Sequence, residues 1–192
     1  KNLKKKITNF SLQAYPSDTK ILRVRIAKYE KVNEKYIELA PGSDGALKYI
    51  FEIFTFNNSR LTTIYPTYGM VEVYSKIYGA SVTWLDYEKS LNGPVLEVDR
   101  VVDIIKKTNP KMVCLPNPDS PTGTVFSLID MRKIIVTAND VGALMLVDEA
   151  YHPLYQETVV PWINEFKNLV VVRSFSKAWG AAGLRVGYIL AN

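Results

Sequence analysis

Residues 143–151 read Ala-Leu-Met-Leu-Val-Asp-Glu-Ala-Tyr, and residues 169–177 read Leu-Val-Val-Val-Arg-Ser-Phe-Ser-Lys. In each stretch, a short apolar run of strand length is followed directly by polar residues. Continuous apolar runs are typical of strands that are buried on both faces, as in parallel sheets. Because ligands of such sheets bind beyond the carboxyl ends of the strands, the polar residues are candidates for a functional site.

Outward from these two stretches, strand-length runs alternate with helical patterns along the chain. The predicted strands are Tyr36–Ala40, Leu61–Tyr65, Ser81–Asp86, Met112–Leu115, Ala143–Val147, Leu169–Arg173 and Arg185–Leu190. The predicted helices are Asp18–Val32, Asp44–Phe54, Gly69–Tyr78, Asp99–Lys107, Leu128–Ala138 and Lys177–Ala182. This alternation predicts an α/β fold of three layers, α/β/α, with a mainly parallel mixed sheet. We find no internal repeat and expect one domain, residues 1–192.

The composition excludes several classes of protein. Of the 192 residues, 47% are apolar and 11% aromatic, which is too many for a disordered chain. The longest apolar stretches, such as Val141–Val147, are far shorter than the ~20 residues of a membrane span. Cys114 and His152 are single residues of their kinds, so we expect no disulfide scaffold and no metal centre.

The positive charge is concentrated at the beginning of the chain. Residues 1–35 contain ten Lys or Arg and three acidic residues, whereas residues 36–192 contain 14 and 16. A nucleic-acid-binding surface would need a basic face with aromatic side chains for base stacking, so we interpret these charges as a solvated helix surface. We expect neither nucleic acid nor membrane as a partner, and we expect a cytoplasmic protein.

Four polar segments follow predicted strands and are expected to meet at one edge of the sheet: residues 41–45, 116–123, 148–151 and 174–177. Gly42-Ser43-Asp44 at a helix start offers backbone N–H groups to an anion, although an ordinary helix cap has the same pattern. Asp148 is either a functional carboxylate at the rim of an apolar layer or part of a structural ion pair. Lys177 is either an exposed lysine or an amine nucleophile whose pKa is lowered by neighbouring cations.

Further polar and aromatic residues extend this pattern. Arg185 with Ser174 and Ser176 can hold a phosphate. Tyr68 is either a stacking platform or an ordinary core residue. Together, an anion site, an amine, a carboxylate and a stacking aromatic match pyridoxal 5′-phosphate. Its phosphate needs the anion site, its aldehyde needs the amine, and its ring nitrogen needs the carboxylate. The aromatic side chain would pack on its ring.

Residues 174–188 read Ser-Phe-Ser-Lys-Ala-Trp-Gly-Ala-Ala-Gly-Leu-Arg-Val-Gly-Tyr and resemble the cofactor-lysine signature of class I and II aminotransferases. The spacing to residues 148–151 and Pro-Thr-Gly at 121–123 fit the same family. Three further motifs resemble its histidinol-phosphate aminotransferase branch: Tyr15-Pro16, Gly42-Ser43-Asp44 and Pro-Thr-Tyr-Gly-Met at 66–70. The resemblance covers nearly the whole chain in consistent order.

The resemblance implies the fold of the cofactor-binding large domain and a role for each site residue. Lys177 would form a Schiff base with pyridoxal 5′-phosphate and later move a proton, and Asp148 would pair with the ring nitrogen. Tyr151 would donate a hydrogen bond to the phenolic oxygen, and Tyr68 would stack on the ring. The residues around the phosphate would be Ser43, Asp44, Ser174, Ser176, Arg185 and, from the neighbouring subunit of a homodimer, Tyr15.

The chain departs from the family pattern in two respects. Ser120 stands where the family has an Asn that contacts the phenolic oxygen, so its shorter side chain would need a water, and the acidic neighbour Asp119 would oppose phenolate charge. Asn117 is too far upstream to replace that Asn. Family members are also roughly twice as long, so we expect the N-terminal substrate segment and the C-terminal small domain to lie outside residues 1–192.

The expected reaction is transfer of an amino group between an amino acid and an oxo acid or a related carbonyl acceptor. One alternative keeps the cofactor and changes the reaction to decarboxylation or side-chain cleavage. The other is a non-catalytic relative that serves as a binding module, which is expected to lack Lys177 or Asp148. The chain by itself is expected to be inactive. His152 is assigned either a structural role or a substrate contact.

Overall fold

The computed structural model describes residues 19–192. The helices are α1 (Lys20–Glu30), α2 (Gly42–Phe54), α3 (Gly69–Ile77), α4 (Val98–Thr108) and α5 (Leu128–Asp140). The strands are β1 (Ile37–Ala40), β2 (Arg60–Tyr65), β3 (Ser81–Asp86), β4 (Glu88–Ser90), β5 (Gly93–Val95), β6 (Met112–Pro116), β7 (Leu144–Asp148), β8 (Leu169–Ser174) and β9 (Gly187–Ala191). Short 3-10 helices cover Glu34–Tyr36, Val160–Asn164 and Ala182–Leu184.

Seven of the strands form one mixed sheet in the order β1-β9-β8-β7-β6-β2-β3. Strand β9 is antiparallel to β1 and β8, and the other neighbours are parallel. Pro116 pairs with Asp148, and Asp148 pairs with Val172, so the carboxyl ends of β6, β7 and β8 lie side by side. Strands β4 and β5 form a separate hairpin that we did not predict.

Helices cover both faces of the sheet, which confirms the predicted three-layer architecture. Within β6, Val113 and Leu115 pack into a cluster with residues of α1, α4 and α5. Met112 and Cys114 belong to a second cluster with residues of α2 and α3. Because successive side chains of a strand point to opposite faces, a run of apolar residues supplies both clusters. Among the helices of residues 19–192, none is long and apolar enough to cross a membrane.

One predicted element is wrong and several boundaries move. Residues 177–182 do not form a helix; they form a turn that leads into the 3-10 helix Ala182–Leu184. The turn is closed by the N–H of Gly180, which donates to Lys177 O at 3.0 Å, and by the N–H of Ala181, which donates to Phe175 O at 3.0 Å. The chain must reverse here within a dozen residues because β9 is antiparallel to β8. The predicted helix start at Asp18 lies outside the described residues.

Candidate active site

A cavity of about 310 Å³ opens at the carboxyl ends of β6, β7 and β8. Its lining includes ten of the predicted site residues: Ser43, Asp44, Tyr68, Ser120, Asp148, Tyr151, Ser174, Ser176, Lys177 and Arg185. Tyr15, the remaining predicted residue, lies outside the described residues. Five lining residues were not singled out, but all lie within the motifs from which the site was predicted: Gly42, Pro116, Pro118, Ala150 and Ala182.

The N-terminus of α2 forms one wall of the cavity and lies unusually close to β9. A Cβ atom on Gly187 would be 2.3 Å from the carbonyl carbon of Gly42 and 2.6 Å from Ser43 N, so only glycine fits. Gly42 has a φ of +76°, and a Cβ there would be 3.1 Å from Nη2 of Arg185. The first-turn N–H groups of α2 therefore lie beside a guanidinium, an arrangement suited to binding an anion.

Asp148 is a buried carboxylate at the end of β7, with 7% of its surface exposed. Desolvation raises its pKa from the ordinary 3.8 to about 7, and the charge of Glu149 adds to this rise. The N–H of Ala150, which donates to Oδ1 at 2.9 Å, and the charge of Lys177 oppose it. Among residues 19–192, no cationic side chain lies within 4 Å of this carboxylate. Asp148 is thus short of a cationic partner.

Lys177 reaches the same cavity from the turn that follows β8. Its Nζ lies 5.3 Å from the centroid of the Tyr151 ring. The turn bends at Ser174, whose Oγ accepts a hydrogen bond from the N–H of Ser176 at 3.0 Å. This local bond directs the chain away from the line of β8, so that Ser174, Ser176 and Lys177 all face the cavity.

Tyr68 and Asp44 belong to the α2 and α3 side of the cavity. The Asp44 carboxylate accepts a hydrogen bond from Tyr74 Oη at 3.0 Å. The backbone N–H of Asp44 lies in the first turn of α2, where N–H groups have no intrahelical acceptor and can bind an anion. Burial raises the pKa of Tyr68, and the negative charges of Asp44 and Asp148 raise it further. Tyr68 therefore stays protonated and presents a neutral aromatic ring to the cavity.

The loop after β6 shows how the departure at Ser120 is accommodated. Tyr151 Oη donates to Ser120 Oγ at 3.5 Å, a long contact for two hydroxyl groups. Asp119 is buried and accepts hydrogen bonds from the hydroxyls of Thr67 at 2.9 Å and Thr122 at 2.6 Å, so its carboxylate stabilises the loop. Asn117 exchanges two hydrogen bonds with the backbone of Phe126 and does not line the cavity.

Sequence reasoning did not single out Arg173, and it left His152 with either a structural role or a substrate contact. Arg173, which follows an apolar run in β8, is 1% exposed and forms ion pairs with Glu149 and Glu30. An arginine that continues a buried strand is the signal that could have indicated this network. His152 does not line the cavity; the centroid of its ring lies 6.4 Å from that of Tyr29. Burial lowers the pKa of His152 to about 4, and the charge of Arg173 lowers it further.

Among solved structures, the crystal structure of histidinol-phosphate aminotransferase from Sinorhizobium meliloti in complex with pyridoxal-5′-phosphate has a TM-score of 0.76. The match covers 89% of this chain and 46% of the Sinorhizobium meliloti chain at 23% identity. At this identity, the likeness shows the fold alone. The crystal structure of L-threonine-O-3-phosphate decarboxylase from Porphyromonas gingivalis has a TM-score of 0.77 and 26% identity, and covers 94% of this chain and 54% of that chain.

Sequence comparison also finds a histidinol-phosphate aminotransferase. Histidinol-phosphate aminotransferase from Thermoanaerobacter sp. (strain X514) is 38% identical over 193 residues, which cover 100% of this chain and 53% of that protein. The chain thus spans about half the length of the curated relatives it matches. The sequence model of the family described as aminotransferase class I and II matches residues 8–192. Since this match takes in almost the whole sequence, the chain belongs to the class I and II aminotransferases.

Proposed function

We propose that this chain is the cofactor-binding part of a longer pyridoxal-phosphate-dependent aminotransferase. The observation that carries the proposal is that Lys177 and Asp148 line one cavity with the N-terminus of α2. These three features are what the aldehyde, the ring nitrogen and the phosphate of the cofactor require. When bound, pyridoxal phosphate supplies a ring that accepts electrons from the substrate Cα.

The phosphate would bind at the N-terminus of α2. Backbone N–H groups of Ser43 and Asp44 would donate to it, and the helix dipole favours a negative charge there. The hydroxyls of Ser174 and Ser176 would add hydrogen bonds, and the guanidinium of Arg185 would neutralise charge. The close contact between Gly42 and Gly187 supports this assignment, because it keeps this end of the cavity narrow.

The ring would lie between Tyr68 and the strand ends. Asp148, whose pKa is raised to about 7 in the absence of a cation, would hold a proton on the ring nitrogen, and the resulting charge pair would favour the carboxylate. Tyr68 would stack on the ring. Tyr151, with Ser120 beside it, would donate to the phenolic oxygen.

Lys177 would have two functions. Its Nζ would bind the aldehyde carbon of the cofactor and later move a proton at the Cα atom of the substrate. Its position 5.3 Å from the Tyr151 ring centroid supports this assignment, because it places the amine beside the residue expected at the phenolic oxygen.

The substrates would be an amino acid or related amine as donor and an oxo acid as acceptor. Histidinol phosphate is the first donor to test, because the 38%-identical Thermoanaerobacter relative is named for it. We further propose a homodimer in the cytoplasm, in which Tyr15 contacts the phosphate of the neighbouring subunit. Support for these points comes from the family membership.

The proposal can be tested by trapping the cofactor. The full-length protein is incubated with pyridoxal phosphate, reduced with borohydride and digested, and the modified peptides are identified by mass spectrometry. We expect one adduct, on Lys177. An unmodified protein, or labelling scattered over surface lysines such as Lys28 and Lys35, would contradict the proposal. An assay with histidinol phosphate and 2-oxoglutarate then tests amino transfer.

Decarboxylation is the second candidate function. It is favoured by one observation, the structural match at 26% identity to a phosphothreonine decarboxylase. Both reactions need the same cofactor site, so Lys177 and Asp148 do not discriminate between them. Release of carbon dioxide from O-phosphothreonine without an oxo acid would support decarboxylation, and formation of an amino product that depends on the oxo acid would support amino transfer.

A further inference from the structure

On the opposite face of the sheet from the cavity lies a buried network of Glu30, Arg173 and Glu149, whose side chains are 5%, 1% and 2% exposed. Arg173 Nε and Nη2 donate to Glu149 Oε2 at 3.0 and 2.6 Å. Arg173 Nη1 donates to both carboxylate oxygens of Glu30, at 2.7 and 2.6 Å. A bond from Nη2 to Thr158 Oγ1 at 2.7 Å gives every N–H of the guanidinium a partner.

The two carboxylates have further partners in the surrounding elements. Glu149 accepts from Thr158 Oγ1 at 2.8 Å and from the N–H of Val159 at 2.9 Å. Glu30 accepts from Tyr188 Oη, on β9, at 2.6 Å. The network therefore joins α1, the ends of β7 and β8, strand β9 and the loop that follows β7.

Network residues and cavity residues alternate along the same two strand ends. Asp148 lines the cavity and Glu149 belongs to the network; Ser174 lines the cavity and Arg173 belongs to the network. Neighbouring side chains at a strand end point to opposite faces but share one backbone. The ion pair between residues 149 and 173 on one face therefore constrains the spacing of Asp148 and Ser174 on the other. The N–H of Glu149 also donates to Val172 O at 2.9 Å, which continues the pairing of β7 with β8 one residue past the end of β7.

Helix α1 contacts the segment that contains Lys177. Glu30, the last residue of α1, binds Arg173, and the preceding Tyr29 packs against Trp179 with ring centroids 5.6 Å apart. Trp179 lies two residues after Lys177 and also packs against Phe175 at 5.9 Å. The end of α1 thus covers both the carboxyl end of β8 and the turn that directs Lys177 into the cavity.

We propose that Glu30, Arg173 and Glu149 are positioning residues for the cofactor site, which set the distance between Asp148 and the 174–177 segment. Stability alone does not account for such a network, since buried ion pairs are often replaced by apolar residues without loss of stability. A fully satisfied polar network restricts the geometry of the groups attached to it. This inference rests on the proposed function, because the site is defined by the cofactor.

The test uses Arg173→Lys, which keeps the charge and removes the fork, and Glu30→Gln, which leaves Arg173 paired with Glu149. For each full-length variant, the dissociation constant for pyridoxal phosphate is measured on the apoenzyme by fluorescence quenching. The visible circular dichroism per bound cofactor reports the orientation of the ring, which a loss of stability alone does not alter.

We expect Arg173→Lys to weaken cofactor binding about tenfold, the scale found for hydrogen bonds one layer behind a metal ligand, and to lower the dichroism per bound cofactor. Glu30→Gln should weaken cofactor binding about threefold and should also lower the dichroism per bound cofactor, since one of the two ion pairs remains. Arg132→Lys is the matched control, because Arg132 forms a forked ion pair with Glu165 on the surface, and it should bind as the wild type does.

A second control, Ile105→Ala, removes a buried side chain of α4 on the network side of the sheet and lowers thermal stability. Equal loss of binding in this variant and in Arg173→Lys would overturn the inference, as would wild-type binding and dichroism in both network variants. Should Arg173→Lys fail to fold, Glu30→Gln decides the question. Absence of cofactor binding by the wild type would instead overturn the proposed function itself, and the inference with it.

Discussion

Asp148 and Glu149 are consecutive buried carboxylates at the end of β7, yet their surroundings are opposite. Glu149 accepts hydrogen bonds from Arg173, Thr158 and the N–H of Val159. Asp148 accepts one among the described residues, from the N–H of Ala150. We call the side of the strand ends that carries Asp148 and Ser174 the cavity face, and the side that carries Glu149 and Arg173 the network face.

The difference distinguishes a carboxylate that is paired within the protein from one that is available to a ligand. A buried carboxylate with cationic and N–H partners has its desolvation only partly offset within the protein: burial still raises the pKa of Glu149, and Arg173, the N–H of Val159 and Thr158 oppose the rise. One without a cation is held at a raised pKa and gains free energy when a cationic ligand binds beside it. Changes on the cavity face should therefore affect function, and changes on the network face should affect stability and geometry together.

Removal of the amine on the cavity face should have the largest effect. Lys177→Ala is expected to abolish covalent attachment of pyridoxal phosphate and to lower amino-transfer activity by more than about 10³-fold, because the residue that we propose as the proton carrier at the substrate Cα is lost. Its free energy of unfolding should match that of the wild-type apoenzyme. Absorbance spectra, an activity assay and urea denaturation measure these quantities, and a coloured, active variant would contradict the assignment.

The pH dependence of stability should identify Asp148 as the uncompensated carboxylate. Its pKa rises from 3.8 to about 7 on folding, so its contribution is favourable below pH 4 and is lost as the pH rises through 7. Relative to Asp148→Asn, the wild-type apoenzyme should lose about 3 to 4 kcal/mol of unfolding free energy between pH 4 and pH 8. Urea denaturation of both proteins across this range tests this, and parallel curves would argue against it.

On the network face, Glu149→Gln should destabilise the protein by about 3 kcal/mol, because the buried guanidinium of Arg173 loses one of its two anionic partners. Thermal and urea unfolding of the apoenzyme at pH 7 measure the change. Asp148→Asn is the natural comparison, since it alters the adjacent carboxylate and should not destabilise at this pH. Equal destabilisation by both substitutions would erase the distinction between the two faces.

The effect on cofactor affinity should be smaller at the contact between β9 and the start of α2. Gly187→Ala would place a Cβ atom 2.3 Å from the carbonyl carbon of Gly42, so the helix N-terminus must move. We expect pyridoxal phosphate to bind about tenfold more weakly, a loss on the scale of one hydrogen bond to a charged group. Gly183→Ala is the control, because nothing described lies within 4 Å of a Cβ there, and its affinity should stay within about twofold.

Much of the site could be predicted because its residues follow buried strands. Asp148 and the 174–177 segment come directly after apolar runs, and parallel strands bring their carboxyl ends to one edge. The prediction of a helix over 177–182 was wrong, since its composition suits a helix but the reversal into β9 prevents one. The hairpin of β4 and β5 was missed because Glu88–Ser90 is an exposed polar segment without strand alternation.

The sequence by itself determined the three-layer class and the location of the candidate site at the strand ends, because these follow from local apolar patterns. Together with the resemblance of its motifs to the class I and II aminotransferases, it also indicated ten of the residues that line the cavity. Only the tertiary structure decided that β9 inserts between β1 and β8, that Gly187 lies under α2, and that Glu30 meets Arg173 across 143 residues. Such contacts depend on how distant elements pack, and no local periodicity encodes the partner of a buried charge.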